Sequence, residues 1–352
     1  MIADALLNPD GNTGEQELPF TPPTGIDGWT EHYAFFACDV ATEPGLFIHV
    51  SRVPDDPAIW RGTLQIYLAG DELLVAKYFG RDGTKHGPGA GALRITCEAP
   101  FRRFVAEFDG IAHRSTRHAI TSGVMRDAPG EPVLLKVAFE AAGPLQGRQA
   151  AMKDRVDGSF HTEQIGSSKG SITVAGKTLH ISGLGVRDHS AGVRHYGKVV
   201  SHMWLHGLFP SGLSFSIFLY RTIGHPEHKA ASIFRGDGSP VEYVEILEHP
   251  EYPDLTDGPG KFLSDPVSDP RYRRTHVVLR TSKGPLRIEF EPQHTHAITY
   301  VDPCEELNGT DFDRPDGVQM CDAPAIITCN GERGTGLFER SGRISVLQRA
   351  HK

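Results

Sequence analysis

The segment Ser201-His202-Met203-Trp204-Leu205-His206-Gly207-Leu208-Phe209, followed across Pro210-Ser211-Gly212 by Leu213–Arg221, decides how the rest of the chain is read. Side chains of a strand alternate between two faces, so His202, Trp204 and His206 share one face while Met203, Leu205 and Phe209 share the other. Both faces are largely apolar or aromatic, so the strand is expected to be buried on both sides. Its hairpin partner carries Tyr220 and Arg221 at the far end. A His-Trp-His face then looks into either a packed core or a cavity.

Runs of the same kind recur along the chain, rich in Val, Ile, Phe, Tyr and Thr as half-buried strands should be. Before residue 145 they are His32–Val40, Gly45–Arg52, Thr63–Ala69, Glu72–Phe79, Leu93–Cys97, Phe104–Asp109 and Val133–Glu140. About eleven more follow, from Ser171–Ala175 to Thr335–Glu339. Asp-Gly or Asn-Gly pairs stand at 82–83, 109–110, 157–158, 237–238 and 330–331, and such pairs tolerate the positive φ of tight hairpins. One helix is predicted, Leu145–Arg155. The chain reads as all-β. A single closed sheet of some eighteen strands would enclose a wide channel, so two antiparallel barrels or sandwiches are expected, 1–165 and 166–352, joined near residues 145–170.

Composition narrows the function. Lys plus Arg is 36 and Asp plus Glu is 44, a net charge of −8 over 352 residues. That balance disfavours sequence-independent nucleic-acid binding and polybasic membrane contact. No apolar run reaches the length of a membrane-spanning helix, and no secretory signal is visible at the start. The five cysteines, Cys38, Cys97, Cys304, Cys321 and Cys329, form no C-x-x-C pair. Reduced thiols and a cytoplasmic location are therefore expected.

Some motifs are better read as structure. Gly166-Ser167-Ser168-Lys169-Gly170 fits G-x-S-x-G, but a nucleophile elbow needs a helix after it and Ser171–Val174 reads as a strand. Gly87–Gly91 lacks the phosphate-loop spacing. Asp311, Asp313 and Asp316-Gly317 resemble a calcium loop, yet Pro315 holds a ligand place and Asp322 stands where the closing glutamate belongs. His294 and His296 pair with His202 and His206 only across about ninety residues, with no spaced carboxylate, so no metal set is assigned.

The densest polarity lies in Gly185-Val186-Arg187-Asp188-His189-Ser190-Ala191-Gly192-Val193-Arg194. Asp188 and His189 are expected to project together into an apolar cavity as a proton donor and acceptor. Burial raises a carboxyl pKa, whereas Arg187 and Arg194 would lower it. If the arginines prevail, Asp188 orients the imidazole and histidine carries the proton. Arg187 and Asp188 could equally form a structural ion pair.

This stretch, with Met203-Trp204 and the hairpin end Phe218-Leu219-Tyr220-Arg221, resembles the carotenoid 1,2-hydratase (hydroxyneurosporene synthase) and AttH-like superfamily. Phe160-His161-Thr162-Glu163-Gln164 and Glu98–Phe104 look like signatures of a branch of it. The resemblance spans about Trp29 to Glu339 and implies two lipocalin-like β-domains. It also implies a cofactor-independent hydratase, isomerase or cyclase acting on polyene or terpenoid substrates. Ala191 stands where the family usually has tryptophan, which puts transfer of the carotenoid substrate in doubt.

The expected function is an acid–base enzyme of a hydrophobic terpenoid-, polyketide- or steroid-like molecule, needing no metal or other cofactor, with a homodimer left open. Asp188 or His189 would protonate an alkene or assist loss of a hydroxyl. Arg194 and His206 would hold Asp188 or a reacting water. Trp204 and Tyr220 would stabilise a cation through their π-faces; Arg187, His202 and Glu163 would line the site. The rival expectation is a non-catalytic carrier of a hydrophobic ligand.

Overall fold

The computed structural model describes residues 2–39, 44–125, 128–147, 160–194, 196–250, 274–293, 296–302 and 305–345. Two lipocalin-like antiparallel sheets dominate, as expected, with only short helices, α1 (Asp4–Leu7) and α2 (Arg117–Ser122), besides two 3₁₀ turns. No helix among the described residues is long and apolar enough to cross a membrane.

The first sheet contains β1 (Trp29–Cys38), β2 (Gly45–Val53), β3 (Asp56–Tyr67), β4 (Glu72–Gly80), β5 (Gly89–Ala90) and β6 (Leu93–Ala99). It continues with β7 (Arg103–Thr116), β8 (Gly130–Ala141), β9 (Gln146–Gly147), β10 (Phe160–Val174) and β11 (Lys177–Val193). The order is β4-β3-β2-β1-β11-β10-β8-β7-β6-β5, and β4 also pairs with β7, so the path from β4 to β7 closes on itself. An eight-strand closure leaves an interior just wide enough for side chains. Tyr33, Phe35, Ile48, Leu64, Phe104, Phe108 and Phe139 pack together there.

The second sheet contains β12 (Val199–Leu208), β13 (Ser214–Thr222), β14 (His228–Phe234), β15 (Glu242–Tyr243), β16 (Glu245–Glu248) and β17 (Thr275–Thr281). It is completed by β18 (Gly284–Pro292), β19 (His296–Val301), β20 (Glu305–Asn308), β21 (Val318–Cys329) and β22 (Glu332–Arg343). Its order is β15-β14-β13-β12-β22-β21-β18-β17-β16, with β19 and β20 added beside β21.

The chain divides into one unit of 1–115 plus 127–194 and another of 116–126 plus 195–352. The expected boundary near 165 falls within the first of these units. A cut at 165 would split the β10–β11 hairpin, whose second strand is the hydrogen-bonded neighbour of β1. That hairpin turns at Ala175-Gly176, with φ of 49° and 77°, while β21–β22 turns at Asn330-Gly331, with φ of 50° and 81°. Both are two-residue turns with left-handed backbone at both positions, matching the strand twist. Asp109-Gly110 is not a turn: it lies inside β7, where a Cβ on Gly110 would come within 3.0 Å of the Tyr78 hydroxyl. Of the predicted helix 145–155, Gln146–Gly147 is strand instead, paired with β10, and 148–155 lies outside the described residues, as does Asp157-Gly158.

The G-x-S-x-G motif sits mid-strand in β10. A Cβ on Gly166 or Gly170 would lie 2.2 Å from the Glu140 carbonyl or 2.1 Å from the Lys136 carbonyl, so these glycines allow β8 to approach. The Asp311–Gly317 segment is a turn closed by its own backbone, Gly317 N–H donating to the Arg314 carbonyl at 2.9 Å.

Candidate active site

Cross-strand register determines which polar groups meet. Directly opposed residues of an antiparallel pair share a face. β11 lies between β1 and β10, pairing Asp188 with Ala34 and Glu163, His189 with Tyr33 and Thr162, and Arg187 with Phe35 and Gln164. Consecutive strand residues point to opposite faces, so Asp188 and His189 do not form a pair. The expected donor–acceptor couple is corrected on that ground.

His189 and Arg187 take the core face. His189 stacks on Tyr33 with ring centroids 4.0 Å apart, and its Nε2 lies 2.9 Å from Glu31 Oε1. Glu31, fully buried, also receives Arg52 Nε at 2.8 Å and the Phe20 N–H at 2.9 Å. Burial, reinforced by the Glu31 charge, pushes the Tyr33 phenol well above its ordinary value. Arg187 is ion-paired with buried Glu17, donates to Gln164 Oε1, and lies 4.1 Å from the Phe104 ring centroid. These groups form a buried core network, in which Glu17 Oε1 and His189 Nδ1 alone have no hydrogen-bond partner among the described residues of the network, and Arg187, expected to line the substrate, points into that core. Ala191 opposes Glu31 and Phe160 on this same face. Ala191 therefore lies on the face opposite Asp188.

The other face carries Asp188, Ser190, His161, Glu163, His32 and His49. Asp188 Oδ2 is hydrogen-bonded to His161 Nε2, and Glu163 Oε1 lies 3.5 Å from the same nitrogen. Ser190 Oγ donates to Asp188 Oδ1 at 3.2 Å and accepts from Arg194 Nη2. His161 Nδ1 is buried and has no hydrogen-bond partner among the described residues. Burial alone would raise the Asp188 carboxyl, but the charge and hydrogen bond of His161, with help from Arg194 and His189, hold it below its ordinary value. Asp188 is thus an anion at neutral pH. His32 Nδ1 lies 3.0 Å from His49 Nε2, and burial, then the charges of Arg194, His49 and Arg61, lower the His32 pKa well below its ordinary value. Phe36, Phe47, Ile165 and Val186 share this face and are buried, giving the polar groups an apolar border.

His161 is the residue the sequence reading passed over. Its signal was present, since residues 160–164 already stood out, but only the hairpin register brings it to Asp188 across 27 positions. The ligand atoms of His161, Glu163 and Asp188 all lie within 4.8 Å of one another, so these three could also hold a divalent cation. Of the other expected site residues, Glu163 and Arg194 join Asp188, whereas His202, Trp204, His206 and Tyr220 belong to the second unit. There they share one face of β12 and β13, opposite Met203 and Leu205. His202 Nε2 is hydrogen-bonded to Glu339 Oε1. His296 lies 2.6 Å from Asp322, and His294 lies outside the described residues.

Three solved structures share this architecture. A Nitrosomonas europaea protein designated AttH aligns with a TM-score of 0.55 at 12% identity, covering 90% of this chain and 92% of its own. CghA in complex with Sch210972 gives 0.54 at 11% identity, covering 89% and 88%. Kievitone hydratase from Nectria haematococca gives 0.50 at 12% identity, also covering 89% and 88%. At these identities the likeness is one of fold. No curated protein shows significant sequence similarity to the chain. A family model described as a domain of unknown function, DUF7064, matches residues 13–344, and the chain belongs to that family.

Proposed function

We propose that this protein is an acid–base enzyme of the lyase or isomerase kind, acting on an apolar small molecule through His161 and Asp188. The observation that carries the reading is the hydrogen bond from His161 Nε2 to an ionised, partly buried Asp188, with the other imidazole nitrogen left unpartnered by the described residues. A carboxylate that grips one nitrogen fixes ring orientation and tautomer and stabilises the imidazolium, leaving the second nitrogen to exchange a proton with a substrate. Asp188 is then the positioning residue and His161 the proton donor. Glu163 adds a second negative charge beside the same ring. Phe36, Phe47, Ile165 and Val186 give this face an apolar border. Kievitone hydratase bears a hydratase name on the same fold, which supports addition or removal of water as the reaction class.

The test is mass-resolved analysis of apolar metabolite extracts incubated with wild type, His161→Gln and Asp188→Asn. A compound gaining or losing one water, or a new isobaric peak, is expected with wild type alone. General acid catalysis contributes roughly 100-fold or more, so both variants should fall by that factor. Variants that keep the wild-type rate refute the assignment. A wild type that retains a compound unchanged establishes the carrier alternative instead.

A further inference from the structure

The face of the first sheet that carries Asp188 can be set out in rows across β2, β1, β11 and β10, because opposed residues share a face. The middle row is His49, Ala34, Asp188 and Glu163. On one side of it runs the apolar border containing Phe36, and on the other a polar row that ends in His161 and includes His32 and Ser190. Among the described residues of these three rows, all but two are buried. The two that are partly exposed, Ala34 and Asp188, oppose each other directly. The Asp188 side chain is 14% exposed. A space at least the size of a water molecule therefore stands over the Ala34 methyl and reaches the Asp188 carboxylate.

That space exists because alanine occupies the centre. Its neighbours along β1 on this face are His32 and Phe36, and across the sheet stand His49 on one side and Asp188 on the other. Neighbouring strands lie about 4.8 Å apart, so the backbones carrying His49 and Asp188 are roughly 9–10 Å apart across β1. Side chains stand roughly perpendicular to a sheet. Between imidazole and carboxylate there remains a slot that a flat group enters edge-on. The His49 wall is held by its Nε2, 3.0 Å from His32 Nδ1. The opposite wall is a carboxylate, which offers about four acceptor positions. His161 takes one on Oδ2 and Ser190 one on Oδ1, so capacity remains for a donor coming from the slot. A hydrocarbon filling the slot would strip water from this carboxylate and return no hydrogen bond, which is unfavourable for a charged group. A hydroxyl would replace the lost bond.

We infer that the recess over Ala34 is a hydroxyl-binding subsite, taking a hydroxyl carried on a flat, unsaturated skeleton, with Asp188 accepting its hydrogen. Ala34 is the specificity-determining residue, because a larger side chain at that position closes the recess. The substrate of a dehydration, or the product of a hydration, is then an alcohol held against the His161–Asp188 pair. This substrate class rests on the function proposed above, whereas the recess rests on register and exposure.

The experiment measures binding of 2-naphthol and of naphthalene to the full chain by the fluorescence of the two probes, with circular dichroism melts confirming that each variant folds. Wild type should bind 2-naphthol roughly tenfold or more tightly than naphthalene, the factor that a hydrogen bond to a charged group supplies. Asp188→Asn should lose most of that preference while still binding naphthalene. Ala34→Leu should weaken 2-naphthol by roughly tenfold or more, whereas Ala34→Gly, which leaves the recess open, should bind it as wild type does. If Ala34→Leu does not fold, Ala34→Val fills the recess with a side chain that strands favour and is read in its place. Equal binding of the two probes by wild type, no binding of 2-naphthol, or undiminished binding after the recess is filled overturns the subsite. A wild type that converts no compound refutes the proposed function and leaves these binding measurements to decide the subsite.

Discussion

Replacing Arg187 with methionine separates a core ion pair from a substrate contact. The Glu17 carboxylate is 1% exposed; its Oε2 is paired with Arg187 and accepts the Phe101 N–H at 3.2 Å, and its Oε1 has no hydrogen-bond partner among the described residues. Methionine keeps much of the arginine stem against Phe104 but leaves a buried anion with one neutral donor. Breaking a buried pair in this way costs about 3–5 kcal/mol. For a unit of roughly 180 residues each kcal/mol shifts the midpoint by about 2–4 °C, so Tm of the first unit should drop by about 6–20 °C. Scanning calorimetry reads this directly. The double variant Glu17→Gln/Arg187→Met removes the stranded charge and should recover most of the loss, the difference giving the coupling energy. A single variant melting within about 2 °C of wild type would refute the reasoning and return Arg187 to the substrate-binding role its sequence neighbourhood implied.

Further predictions concern protonation and metal. Because burial lowers the folded-state pKa of His32, folding keeps it neutral while the unfolded chain binds a proton. Its contribution is full above about pH 6.5 and is lost as pH falls, with a slope of up to about 1.4 kcal/mol per pH unit; urea melts at stepped pH should show that slope flattened in His32→Gln. Burial pushes the Cys38 thiol up to about 12 and the Cys97 thiol to about 11, so iodoacetamide at pH 8 should label neither in the folded chain and both after denaturation. Rapid labelling would show that the first barrel opens. His161 Nε2 is committed to Asp188, so dialysis against EDTA should leave turnover unchanged; loss of activity restored by zinc would reassign His161, Glu163 and Asp188 as metal ligands.

The strands were legible in advance because alternation and hairpin chemistry are local. The predicted run Gly45–Arg52 fills all but the last residue of β2, and the two faces of β12 divide as period two requires, Met203 and Leu205 inward among apolar neighbours and His202 with Trp204 on the polar side. Strand ends suffered where glycines read as loop. Gly183 and Gly185 sit inside β11, where a Cβ would lie 2.1 Å from the Cys38 carbonyl or 2.8 Å from the Phe139 ring, so they serve close packing and do not break the strand. Taking Gly185–Arg194 as a compact polar cluster placed Asp188 and His189 together, whereas recognising a strand would have separated them at once.

The amino-acid sequence alone determined an all-β chain, a pair of domains, and the segment 180–206 in which the unusual polarity lies. Those are properties of neighbours along the chain. The pairing of Asp188 with His161 and the withdrawal of Arg187 and His189 into the core were decided only by tertiary structure. Each depends on strand register, and a slip of one residue would send every one of these side chains to the opposite face.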